Sequence, residues 1–154
     1  MKIQTTLEGG LRVDIEDVQD WQLLDWIVAD AEPAADDLAD QLGNEITAQE
    51  IAADWREFVT PELRNVFFSD VEFVSHALAE ARTRSDGESG SLWIAPADGM
   101  RWYSALNQAR LALEAEHHFS NDDTLPDDAD PQAWMRSQFY LALQSVILEE
   151  ILTK

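Results

Sequence analysis

The stretch ADGMRWYSALNQARLALEAEHH, residues 97–118, decides the fold. Trp102, Leu106, Ala109 and Leu113 recur at steps of four, three and four, which predicts a helix over 97–118 with one inward face. Downstream, PQAWMRSQFYLALQSVILEEIL (residues 131–152) reads as apolar on most sides, interrupted along its length by Ser137, Gln138, Gln144 and Ser145. A helix hydrophobic nearly all round sits in the middle of a bundle. Trp134, Leu141, Val146 and Leu148 are therefore expected to be inaccessible. An acidic linker, residues 120–130, separates the two helices.

Upstream, residues 17–31 read as a helix opening near Asp17, with acids in the first turn that suit the positive end of its dipole. Pro33 starts a short helix over 33–42 that stops at Gly43. Thr47-Ala48-Gln49-Glu50 is a capping box for a helix over 48–58. Thr60-Pro61 is a second start signal, opening a helix over 61–84. Leu63, Phe67, Val71, Val74 and Leu78 form its apolar stripe.

Residues 3–15 alternate as a β-hairpin about Gly9-Gly10. A two-residue loop would oppose Leu7 and Arg12, sending the two apolar sets to opposite faces. A three-residue loop, Glu8-Gly9-Gly10, pairs Leu7 with Leu11, Thr5 with Val13 and Ile3 with Ile15, and leaves Gly10 in the left-handed conformation. The latter is expected. Leu92-Trp93-Ile94 reads as extended, a candidate third strand at 92–94. The fold class is thus mainly α: one domain over 1–154, a helical bundle carrying an N-terminal β-hairpin.

Acids outnumber bases 31 to 10 in 154 residues, a net charge of −21, yet 45% of residues are hydrophobic and six are Trp. Such charge on a chain poor in apolar residues would mean disorder. Here it must clothe a folded core. An anionic surface repels nucleic acid phosphates and anionic lipid and attracts basic partners, so the expected partner is another protein, basic in character, with no direct nucleic acid and no membrane. Lysine occurs only as Lys2 and Lys154, and Asp exceeds Glu, a bias also found in proteins of saline habitats. The absence of cysteine excludes disulfides, thiolate metal sites and a cysteine nucleophile. The N-terminal residues lack a signal-peptide pattern, and the longest uncharged run, Ser137–Leu148, is too short to span a bilayer. The expected compartment is the cytoplasm.

Catalytic signatures are sparse. Gly87-Glu88-Ser89-Gly90-Ser91 has its second glycine one position too early for a nucleophile elbow. Residues 121–130 lack the glycine and the closing glutamate of a calcium loop. Glu114 and His117, three apart on a helix, could give a metal two ligands, but carboxylate-bridged bundles need a second such pair. Glu72, His76 and Glu80 share a polar face, and nothing forces Glu149 or Glu150 inward. No cofactor is expected. Trp26 is the anomaly of the first helix. Trp21, Leu23, Leu24, Ile27 and Val28 make one apolar arc, and Trp26 lies about 60° beyond it, towards Gln22, Asp25 and Ala29. It either covers the hairpin or anchors a partner, tryptophan being enriched in interface hot spots.

The run Trp102-Tyr-Ser-Ala-Leu-Asn-Gln-Ala-Arg-Leu-Ala-Leu113 resembles the helix of an uncharacterised actinobacterial family, domain of unknown function number two thousand and seventeen. Phe139-Tyr-Leu-Ala-Leu-Gln144 is similar to that family's aromatic last helix. Gly10-Leu-Arg-Val-Asp14 and Phe58-Val-Thr-Pro-Glu-Leu-Arg64 extend the likeness over most of the chain. The N-terminal half departs from the family in being very acidic, where the family carries more arginine. The resemblance implies no catalytic residues. It does imply a genomic neighbourhood beside the Clp protease adaptor, and hence regulated proteolysis. Arg110 and Asn107, polar residues of the matching helix, are expected to hold the bundle together.

The leading functional reading is a non-enzymatic accessory or regulatory module that binds another protein, with Trp26 the candidate contact residue if it does not cover the hairpin. The alternatives are a metal-dependent enzyme on Glu114 and His117, and an acidic nucleic-acid mimic. Whichever holds, crowded like charges should make stability depend on salt. The melting temperature should rise across a sodium chloride series from low to moderate ionic strength, since screening weakens self-repulsion. A flat or falling curve would mean that the carboxylates are already paired or well separated.

Overall fold

A computed structural model of the chain describes residues 1–34, 54–85, 88–119, 125 and 127–154. Strands β1 (Lys2–Thr5), β2 (Leu11–Ile15) and β3 (Gly90–Ile94) form an antiparallel sheet in the order β1-β2-β3. Helices α1 (Val18–Ala31), α2 (Thr60–Thr83), α3 (Gly99–His117) and α4 (Pro131–Ile147) supply the rest of the core. The protein is mainly α, and the third strand is present.

Alternation places Leu11, Val13 and Ile15 of β2 and Leu92 and Ile94 of β3 on one buried face. The hairpin register differs from the three-residue-loop expectation. Thr5 pairs with Leu11 and Ile3 with Val13, while Leu7 sits fully exposed in a longer turn. The shift is two residues, so Leu11, Val13 and Ile15 keep the core face with Ile3 partly buried beside them, whereas Leu7 and Thr5, expected on that face, are exposed. The turn closes on itself. Thr6 N–H donates to Gly10 O (2.9 Å), Gly9 N–H donates to Thr6 O (3.1 Å) and Gly10 N–H donates to Thr6 Oγ1 (3.0 Å). Gly9, not Gly10, has the positive φ of +86°. Gly10 is needed for a different reason, since a Cβ there would strike the Ile94 carbonyl oxygen.

α1 opens at Asp17, whose carboxylate accepts from Asp20 N–H at 3.0 Å. The expected cap at Thr60 is not formed. A π-helical turn, Trp55–Val59, runs straight into α2, and the Thr60 hydroxyl is buried without a partner. Pro61 explains the turn: it cannot donate to the carbonyl four residues back, and its ring pushes that carbonyl aside. Of the helices expected at 33–42 and 48–58, the structure describes the 3-10 turn Glu32–Ala34 and residues from Asp54 onward. The remainder lies outside the described residues, as does most of the acidic linker.

The centre of the bundle is α3, not α4. Trp102, Ala105, Leu106, Ala109 and Leu113 are all buried, and α3 packs against α1, α2 and α4. Small Ala105 and Ala109 let neighbouring backbones approach between the larger side chains. α4 buries one stripe, Ala133, Tyr140, Leu143, Gln144 and Ile147. Leu141 and Leu148 are 40% and 41% exposed, and Trp134 and Val146 are only partly buried, which corrects the expectation of a helix surrounded on all sides. The polar Gln144 sets the orientation. Its Oε1 accepts from Arg110 Nη1 (2.8 Å) and its Nε2 donates to Tyr103 O (3.3 Å), both on α3. Arg110 thus holds the bundle together, as expected.

Leu106→Ala should lower stability by about 2–5 kcal/mol, a deep cavity in the central helix, whereas half-exposed Leu141→Ala should cost under about 1 kcal/mol. Chemical denaturation of the two variants checks the ordering. Equal losses would return α4 to the centre.

Candidate functional site

The Trp26 face is built by three helices. Trp26 projects from α1 away from buried Trp21, Leu24 and Ile27, and remains 46% exposed. Arg136 of α4 lies over its ring, the guanidinium carbon 4.2 Å from the centroid, so the ring is partnered by α4 and the hairpin-cover reading is set aside. The same guanidinium grips Asp30, one turn further along α1. Arg136 Nε and Nη2 donate to the two Asp30 oxygens at 2.9 and 3.3 Å, and Tyr140 O–H donates to Oδ2 at 2.6 Å. On the other flank Arg82 of α2 donates to Asp25 at 2.6 Å and lies over Trp21. Beside the exposed part of Trp26, a shallow hollow of about 410 Å³ is lined by Gln22, Asp25 and Ala29.

The electrostatics favour a rigid site. Asp30 and Arg136 are almost wholly buried, so removing one member would strand a charge, a loss of about 3–5 kcal/mol. Burial, and then the hydrogen bond to Asp30, push the Tyr140 phenol far above its ordinary value. For Arg136, burial works against the cation, but the Asp30 carboxylate overrides it and the net shift is upward. Both raised values keep the Tyr140 phenol neutral and Arg136 cationic near neutrality. What the arrangement does is brace Trp26 from one side, by an arginine whose own position is set by Asp30.

The metal candidates are not gathered. Glu114 is exposed, while His117 stacks on Phe119 (5.4 Å between centroids) and faces Glu116 at 3.8 Å. His118 takes the left-handed conformation (φ 51°) that closes α3, its N–H donating to Glu114 O. Glu72 and His76 form an exposed pair at 3.8 Å, and Glu150 accepts from Lys154 at 2.6 Å. Among the described residues no group of three His, Cys, Asp or Glu is placed to hold a metal ion. Asp30, Arg136 and Tyr140 escaped the sequence reading because over a hundred residues separate the acid from its partners. The one available signal was an arginine in the middle of an otherwise apolar helix.

A family model described as Domain of unknown function (DUF2017) matches residues 11–150. No curated protein and no solved structure matches the chain. Among the described residues no helix is long and apolar enough to cross a membrane.

The raised Tyr140 phenol makes stability fall in alkali. A group whose folded value lies above its unfolded value, about 10, contributes fully below that value and loses its contribution as pH climbs beyond it. Unfolding free energy measured from neutral pH to about pH 11 should therefore decline above about 10. In Tyr140→Phe the decline should shrink, at a neutral-pH cost of about 1–3 kcal/mol from the lost hydrogen bond to a charged acceptor. An identical alkaline slope in the variant would place the titration elsewhere.

Proposed function

The chain belongs to the Domain of unknown function (DUF2017) family, and from that premise we propose that it is a non-enzymatic module that works by binding another protein through Trp26. The observation that carries this reading is an exposed tryptophan stacked by an arginine that is itself paired with Asp30. A pre-ordered aromatic loses little side-chain entropy when a partner covers it, and hot spots at interfaces have this character. Gln22 and Asp25 would supply the polar rim around it. The strong negative charge favours a basic partner and fast, salt-dependent encounter. The neighbourhood implied by the resemblance makes a factor of regulated proteolysis the first partner to offer. A metal-dependent enzyme is the weaker reading, since Glu114 and His117 gain no third ligand among the described residues.

The test is capture from native lysate by the wild-type chain and by Trp26→Ala, each at low and at high salt. The expected partner is held by the wild type at both and is lost from the variant, a drop of about 2 kcal/mol or on the order of thirtyfold in affinity. Circular dichroism should show the variant folded, because half of the ring already faces water. Equal capture by both proteins would overturn the assignment of Trp26.

A further inference from the structure

A second surface, independent of Trp26, lies along the outer edge of the sheet. A cleft of about 410 Å³ is lined by both Leu92 and Trp93 of β3. Successive residues of a strand point to opposite faces, so a cavity touching both must run along the strand's edge. β2 pairs with one edge of β3, in the register Leu11 with Ile94 and Val13 with Leu92, so the cleft occupies the other edge. Its far wall is a single row of α2: Phe73, His76, Ala77, Glu80 and Arg84. These positions follow the three-and-four spacing of one helix face and span roughly 16 Å at 1.5 Å per residue. A five-residue strand such as β3 spans about the same at 3.3 Å per residue. The α2 wall is thus about as long as a strand, and the cleft meets β3 at Leu92 and Trp93.

Among the described residues no strand pairs with this edge. Proteins commonly protect an open edge by making it short, or by placing lysine or proline on it. β1, the opposite edge, is short and starts at Lys2. β3, Gly90-Ser91-Leu92-Trp93-Ile94, has neither lysine nor proline, and Trp93 is 53% exposed. A second copy of this chain is a poor occupant, because each carries a net charge of −21. Glu80 and Asp98 border the cleft, which Arg84 and His76 also line, so the two carboxylates are the points that would take cationic side chains on a molecule of net charge −21.

We propose that the β3 edge takes an extended basic segment of a partner protein as a fourth strand, its backbone pairing with β3 and its arginine or lysine side chains facing Glu80 and Asp98. Strand addition gives affinity through main-chain hydrogen bonds and specificity through alternate side chains, here one set against the Phe73 wall and the other beside Trp93.

The probe is a short amidated peptide of alternating valine and arginine, titrated into the isotope-labelled full chain and followed by amide resonances. It is expected to shift the amides of residues 90–94 and 73–84 and to slow hydrogen exchange in β3. Glu80→Lys, at an exposed position, should weaken it by about tenfold or more. A valine–glutamate peptide, and an arginine peptide whose central valine is replaced by proline, should bind at least about tenfold less tightly. Trp26→Ala should leave the titration unchanged, which separates a failure here from a failure of the Trp26 reading. Absence of any shift, shifts away from β3, equal binding of the proline-bearing peptide, or self-association through β3 without peptide would each overturn the proposal.

Discussion

Burial of one face of α3 is the constraint on which the other elements depend. Trp102, Leu106 and Leu113 fill the space between α1, α2 and α4, and the alanines between them set how near those helices come. Helices of this length are marginal alone in water, so their apolar faces must be covered by one another. The sheet joins the same core from the side through Leu11, Val13, Ile15, Leu92 and Ile94. α4 is held by its single buried stripe and by two polar clamps, Arg110–Gln144 to α3 and Arg136–Asp30 to α1.

In a chain so rich in carboxylates, the arginines have structural positions. Arg12, Arg82, Arg101 and Arg136 each lie over an aromatic ring: Trp93, Trp21, Phe73 and Trp26. Three of the four also bond a carboxylate, on Asp14, Asp25 and Asp30. A planar guanidinium can stack and donate at once, which lysine's point charge cannot do, and lysine is confined to positions 2 and 154. Among the described residues most of the other acids are exposed. This arrangement reconciles a charge of −21 with a dry core, because the few cations cross-link helices instead of neutralising the surface.

The two proposed contact surfaces follow from the same economy of cations. Trp26 is exposed but fixed, since its partner Arg136 is itself locked by Asp30 and Tyr140. Trp93 is exposed beside an open strand edge, with Arg12 5.7 Å from its ring. One offers a rigid aromatic anchor and the other an unpaired backbone. Both sit on an anionic molecule, so a basic partner would be drawn to either by long-range attraction before short-range contacts select it.

The sequence alone determined the helical bundle, the inward face of α3, the start of α1 near Asp17 and the third strand, because each is a local pattern: a period of 3.6 or 2, or a run of acids suited to a helix start. It also determined that Leu11, Val13 and Ile15 face the core, since that depends only on parity, but not the loop length, which turned on Thr6 bonding back to Gly10 and left Leu7 exposed. Trp26 could be singled out as misplaced on its helix, but not its stacking under Arg136. The orientation of α4 was decided by tertiary structure. Its composition is apolar on nearly every side, so no periodic signal distinguished Leu141 from Leu143, and the choice fell to Gln144 and Arg136 finding partners on other helices. The Asp30–Arg136–Tyr140 lock and the cleft beside β3 likewise join residues remote along the chain. The lock draws on attraction and hydrogen bonds that strengthen where water is excluded and offset the desolvation of its groups, which no local stretch of sequence can bring about.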